Sequence, residues 1–181
     1  SGPMLQHAVQ CGLLAAGGQV IDVGVLPTPT IQMYTQATRA RGGIAITASH
    51  NPPEYNALKL FNAQGLFFNR YERDELLDLY HQSDVRQAGN DEIRTVICDL
   101  DSAAKLHLDR VLRYVDADRI RARRFRVALD AVNGAGSRVS VRFLREMLGC
   151  ELSAISVDPT KPFPRIAEPG PETLGDLSSL V

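Results

Sequence analysis

The sequence concentrates its reactive residue types in one short stretch, Thr47-Ala48-Ser49-His50-Asn51-Pro52-Pro53. A hydroxyl, an imidazole and an amide follow one another there: a nucleophilic oxygen, a group that exchanges protons near neutral pH, and a hydrogen-bonding amide. Two prolines restrict the backbone that presents them. On spacing alone two readings stay open. The stretch is a reactive serine loop, or Thr47, Ser49 and Asn51 satisfy loop backbone groups, as short polar side chains commonly do. A hydrolytic Ser-His pair fits less well, because Ser49 and His50 are adjacent and no Gly-x-Ser-x-Gly elbow surrounds them.

Three other places carry chemically capable groups. Arg94 to Ser102 reads as a strand ending in Asp99-Leu100-Asp101, which is either a reactive carboxylate pair or two solvated acids at a helix start, where they complement the macrodipole. Asn133-Gly134-Ala135-Gly136 precedes a helical run and could cradle a phosphate, although a tight structural turn explains it as well. Arg119, Arg121, Arg123, Arg124 and Arg126 crowd into eight positions, a pattern of a solvated linker face or of a phosphate-backbone patch.

The elements that must position these groups follow a helix, strand, helix, strand rhythm. Met4 to Ala16 is expected as a helix stopped by Gly17-Gly18, and Val20 to Val25 as a buried strand. Thr30 is the expected N-cap of a helix through Thr38. Ile44-Ala45-Ile46 is a second buried strand, which delivers Ser49 at its carboxyl end. Ala57 to Phe61 and Leu66 to Phe68 suggest a hairpin around Asn62 to Gly65. Helices are expected at Glu72–Ser83 and, as one long element, at about 102–122. A second unit then reads as a strand from Phe125 to Asp130, the glycine loop, a helix from Arg138 to Leu148, a strand from Glu151 to Val157, a tail with five prolines, and an incipient helix from Thr173. The fold class is α/β: layered αβα domains with mixed sheets, residues 1–110 forming the first and 111–181 the opening of a second, incomplete one.

Composition narrows the function classes. The chain has 181 residues, 44% of them hydrophobic and 23% charged, and its net charge is −1. No apolar run reaches the roughly 18 residues that a membrane span needs, and the balanced charge argues against a nucleic-acid partner. Cys11, Cys98 and Cys150 lie far apart among apolar neighbours, as buried free thiols in a reducing, cytoplasmic setting would, with no metal cage among them.

The Ser49 region resembles a known signature. Ile46-Thr47-Ala48-Ser49-His50-Asn51-Pro52, followed by Tyr55-Asn56-Ala57-Leu58-Lys59-Leu60, is similar to the phosphoserine segment of the α-D-phosphohexomutases, the phosphoglucomutase, phosphomannomutase and phosphoglucosamine mutase superfamily. Leu26-Pro27-Thr28-Pro29-Thr30 resembles that family's upstream Thr-Pro segment. Val127 to Gly136 resembles the strand and glycine loop of its second domain, with Phe163-Pro164 and Glu168-Pro169 in the expected order. The resemblance implies that Ser49 carries a phosphate, gives it to a hexose phosphate and recovers it from a bisphosphate intermediate. His50 and Lys59 would move protons or steady the transferring group, with Asn51 beside them at the substrate. Implied partners are a hexose phosphate, a bisphosphate activator and further domains of the same protein. The implied cofactor is Mg²⁺, met by the phosphate on Ser49.

The resemblance is to a fragment. The family's aspartate-rich Asp-x-Asp-x-Asp-Arg metal loop and its sugar-specificity and distal-phosphate domains are not among these residues, and a preceding Thr-Ser-Gly strand would lie before Ser1. Little or no turnover is therefore expected from the 181 residues alone. Two other functions stay open: a non-catalytic sugar-phosphate binding module, and an aspartyl-phosphate phosphatase using Asp99, since Arg94 to Ser102 also resembles the opening of haloacid-dehalogenase phosphatases.

Overall fold

The computed structural model describes residues 1–49, 51–52, 54–83 and 85–181, which divide into two compact units. The first comprises 1–24, 31–48 and 53–103; the second comprises 25–30, 49–52 and 104–181.

In the first unit, helix α1 spans Gly2–Ala15 with Pro3 in its first turn, where a missing N–H costs nothing. It stops because Gly17 takes φ +82° and the Gly17 and Gly18 amides turn back onto the Leu14 and Leu13 carbonyls. Strand β1 is only Ile21–Asp22, shorter than the expected Val20 to Val25, since the chain leaves the ladder at left-handed Gly24. It pairs in parallel with β4, Ile97–Cys98. Helix α2, Thr28–Ala37, begins three residues earlier than expected, so Thr30 lies inside the helix and is not its cap.

Strands β2, Gly42–Thr47, and β3, Ala57–Asn62, form an antiparallel ladder of six pairs, from Gly42 opposite Asn62 to Thr47 opposite Ala57. The expected hairpin of 57–61 with 66–68 contracts to one bridge, Phe61 with Phe67, closing the turn at 62–65. The principal partner of β3 is β2, and residues 48–56, Ser49 among them, connect the two. Helix α3 spans Arg70–Gln82, starting ahead of the expected Glu72. The Asn69 side chain accepts from the amides of Tyr71 and Glu72, while Glu72 reaches back to the Asn69 amide.

The single long helix expected over 102–122 is two. Helix α4 is Ser102–Leu112 and α5 is Ala117–Arg123, because Asp116 caps a new start by accepting from the Arg119 amide. In the second unit β5, Arg126–Asp130, and β6, Glu151–Ile155, pair in parallel over five residues. Between them runs α6, Ser137–Val141, continuing as a π-helical stretch Arg142–Met147. The end of the chain holds a 3₁₀ turn, Pro171–Thr173, and α7, Gly175–Ser178, in place of one helix. Leu108, Val139, Leu148 and Cys150 are buried there. Cys11 and Cys98 are exposed, contrary to the burial their apolar neighbours suggest; Cys98 sits on a strand with one partner, which leaves its side chain uncovered.

Candidate active site

Ser49 lies two residues beyond the end of β2 and is exposed. Its φ is +58°, the left-handed region that an L-serine occupies at a cost of about 1 kcal/mol. At Ser49 the backbone therefore turns out of the ladder direction of β2. Asn51 and Pro52, in the same loop, are exposed. His50 lies outside the described residues.

Lys59 is set by register. It stands opposite Ala45 in the β2–β3 ladder, and directly paired residues share one face of a sheet. That face also carries Phe61 opposite Gly43, and Ala45 and Phe61 are both buried. Lys59 is itself half-buried, on the covered face of the hairpin rather than as a solvent-facing strand residue. Ser49, Asn51 and Lys59 thus belong to one hairpin and its connection.

The other candidates resolve into structural roles. The Asp99 carboxylate accepts from the Tyr34 hydroxyl and from the Ser102 amide at the start of α4. The Tyr34 bond, and then those of Ser102, hold its pKa below the usual carboxylate range. The same hydrogen bond, with burial and the adjacent negative charge, pushes Tyr34 up to about 12. This supports the helix-start reading of Asp99.

The Asn133 loop is a turn in which Gly134 N donates to Ala131 O at 2.7 Å and both central residues, Val132 and Asn133, have positive φ. Asn133 Nδ2 donates to Pro162 O at 2.8 Å, and its Oδ1 accepts from the Asp158 amide at 3.0 Å. The Asn133 side chain is thereby committed to the tail segment.

Two features escaped the sequence reading. His107 Nδ1 is 2.7 Å from Thr30 Oγ1, and Thr30 is fully buried; burial lowers the imidazole pKa, so this is a satisfied interior histidine. Asp130, whose side chain is 3% exposed, takes both Arg165 Nη2 at 2.6 Å and Nε at 3.0 Å. For a metal, the test is the donor set. Among the described residues no group of three or more His, Cys, Asp or Glu side chains comes together, so the described residues do not fit a Mg²⁺ cage, and no step below passes through one.

Comparison with known proteins bears on the whole arrangement. Residues 1–87 match the family model for phosphoglucomutase/phosphomannomutase α/β/α domain I, and residues 105–181 match that for domain II. A phosphoglucomutase/phosphomannomutase of Thermococcus kodakarensis is 38% identical over 182 residues, covering 100% of this chain and 39% of the relative. A protein named "Probable phosphoglucosamine mutase" from Methanopyrus kandleri is 37% identical, covering 98% and 38%. A solved phosphoglucomutase/phosphomannomutase family protein from Burkholderia thailandensis superposes with TM-score 0.71 at 25% identity over 99% of this chain and 39% of its own. A structure from Thermus thermophilus, 23% identical over 92% of this chain and 37% of its own, shares the fold at TM-score 0.72. The chain is therefore an α/β protein whose residues match two successive α/β/α domains. It belongs to the phosphoglucomutase/phosphomannomutase family, and it spans about two fifths of the length of the curated relatives it matches.

Proposed function

We propose that the protein is a phosphohexomutase, interconverting a hexose 1-phosphate and a hexose 6-phosphate through a phosphate carried on Ser49. The observation that carries this is the left-handed, exposed Ser49 just past the carboxyl end of β2. Phosphate on Ser49 Oγ passes to the free hydroxyl of the sugar phosphate. The Oγ–P bond breaks, a bond from phosphorus to the sugar oxygen forms, the hydroxyl proton leaves to a base, for which His50 is the candidate, and the freed Ser49 Oγ takes up a proton from solvent. The resulting bisphosphate then returns its other phosphoryl group to Ser49 Oγ. Beyond that proton transfer, positioning and charge stabilisation are what the protein must supply, and an ammonium such as that of Lys59 neutralises the transferring oxygens. Asn51 contributes a hydrogen-bonding amide to the substrate side of the loop.

Mg²⁺ belongs to this proposal as the cofactor of the whole protein, supplying charge neutralisation at the phosphate when bound. Hexose phosphate, bisphosphate activator and further domains of the same protein are its partners, and a cytoplasmic setting suits such substrates. No described helix is long and apolar enough to cross a membrane.

The test is the phosphoenzyme. After incubation of the protein as its gene encodes it with hexose bisphosphate, Ser49 should carry an acid-stable phosphate, and Ser49→Ala should lose at least about 1,000-fold in kcat, the scale lost when a nucleophile is removed. An acid-labile phosphate on Asp99 would instead mark an aspartyl-phosphate phosphatase. Binding of sugar phosphate with no phosphoenzyme at all would mark a non-catalytic module.

A further inference from the structure

Helix α2 meets the β2–β3 hairpin at two points where the hairpin has no side chain to hold it off. One is Gly43 on β2. Its φ lies outside the left-handed region, so the backbone there makes no demand for glycine. What glycine supplies is room: a Cβ at this position would fall 2.4 Å from Thr35 Oγ1 on α2 and 3.2 Å from Phe61 Cδ2. Thr35 is buried, and its hydroxyl donates to the Ile31 carbonyl at 2.8 Å, so it is tied to its own helix and not free to swing aside.

The other point is Gly65, in the turn after β3. A Cβ there would lie 2.3 Å from the Gln32 carbonyl oxygen, and the Gln32 side-chain amide donates to Gly65 O at 2.9 Å. Gln32 and Thr35 stand three residues apart, on one face of α2. Phe61, 1% exposed and 5.1 Å from the Phe67 ring, packs beside them. A seam made of backbone, two glycines and a tethered hydroxyl has almost no slack, because an added methyl must displace main chain or a bonded group.

The seam acts on β2 itself. Among the described residues β2 has one ladder partner, β3, and β3 enters the same seam through Phe61. Five residues, 44–48, lie between Gly43 and Ser49, and the first four, through Thr47, are regular strand. The lie of the strand that delivers Ser49 therefore depends on how closely α2 seats against Gly43.

We propose that Gly43 is a positioning residue for phosphoryl transfer: by letting Thr35 seat against β2, it fixes the strand end from which Ser49 projects. This rests on the reading of Ser49 as the phosphoryl carrier. Adding a methyl at Gly43 requires the 2.4 Å separation to open to the ordinary 3.4 Å, a shift of about 1 Å. Displacements of about 1 Å at a reacting centre cost on the order of 100-fold in rate.

The experiment uses the protein as its gene encodes it, phosphorylated at Ser49, and follows loss of phosphoserine in a single turnover with hexose 1-phosphate alongside steady-state kinetics. Gly43→Ala should slow transfer and kcat about 100-fold, with KM changed less than about 3-fold. Adding Thr35→Ala should restore most of the loss, because the nearest atom of residue 35 then lies 3.5 Å from the new methyl, an ordinary contact. Asp116→Ala serves as a stability control: it removes the cap of α5, in the second unit, and should lower Tm without lowering kcat. The proposal is overturned if Gly43→Ala transfers phosphate at the normal rate, or if Thr35→Ala fails to rescue while Asp116→Ala lowers kcat in proportion to its Tm. A wild-type protein that never holds phosphate on Ser49 overturns the functional reading instead, and intact-mass measurement separates the two.

Discussion

Asp99 shows how little residue identity alone decides. An aspartate at the end of a strand has the look of a nucleophile, but here both of its oxygens are occupied, one by the Tyr34 hydroxyl and one by the Ser102 amide. A carboxylate so engaged is a weaker nucleophile and a better helix cap. The expected result for Asp99→Asn follows: phosphohexomutase turnover within about 2-fold of wild type, because an asparagine oxygen still caps α4. Tyr34, freed of a neighbouring negative charge, should titrate well below its present value of about 12, nearer the ordinary tyrosine value of about 10. Spectrophotometric titration of the phenol reads the second effect, and loss of all turnover on this substitution would return Asp99 to the reaction. Ser49 illustrates the opposite case. The loop's composition marks it as a candidate hydroxyl while leaving the loop-bonding reading open, and its left-handed φ is not legible at all, since serine carries no local signal for that conformation as glycine does.

At the scale of elements, the start of α3 is the clearest cooperative unit. Asn69 and Glu72 satisfy each other's backbone donors, and this reciprocal bonding, first from the Asn69 amide and then from the Asn62 side chain, keeps the Glu72 pKa below the ordinary range. Asn69→Ala should cost about 1 kcal/mol of stability, read as a lower denaturation midpoint at an unchanged slope. The motif stands in the sequence as Asn-x-x-Glu, one turn ahead of where apolar periodicity places the helix, because periodicity reports the buried face and capping reports the end. The same distinction explains the misjudged long helix. An apolar stripe runs through Leu106, Val111 and Val115, but Asp116 bonds the Arg119 amide and starts α5 afresh, leaving Tyr114 exposed in the break. Strand pairing was the least legible part. Nothing local in Ala57 to Asn62 says whether it pairs forward with 66–68 or backward with 42–47; the buried Phe61 opposite Gly43, in contact with α2, settles it through tertiary packing.

On the scale of the whole molecule, each unit is tied by contacts between residues far apart in sequence, and these are the ones that no local pattern announces. In the second unit, the proline-containing tail is fastened to β5 by Arg165 on Asp130, 35 residues earlier, and by Asn133 on Pro162 and Asp158. Burial works to raise the Asp130 pKa. The Val132 amide and the Arg165 guanidinium outweigh it, so the carboxyl sits below its ordinary value. A folded-state pKa below the unfolded one means that the pair contributes stability above the unfolded carboxylate value of about 3.9, and that this contribution is lost as pH falls through the lower folded value. Arg165→Met removes the cation and leaves a buried carboxylate without its partner, which should cost about 3 kcal/mol at pH 7. In that variant burial acts unopposed by the guanidinium, the carboxyl moves upward, and acid relieves the penalty by protonating it. Denaturant titrations of both proteins between pH 7 and pH 3 should therefore show the stability gap widest at neutrality and narrowing steadily below about pH 5. A gap that stays constant across that range would show that Arg165 holds the tail by packing alone and that its charge on Asp130 contributes nothing.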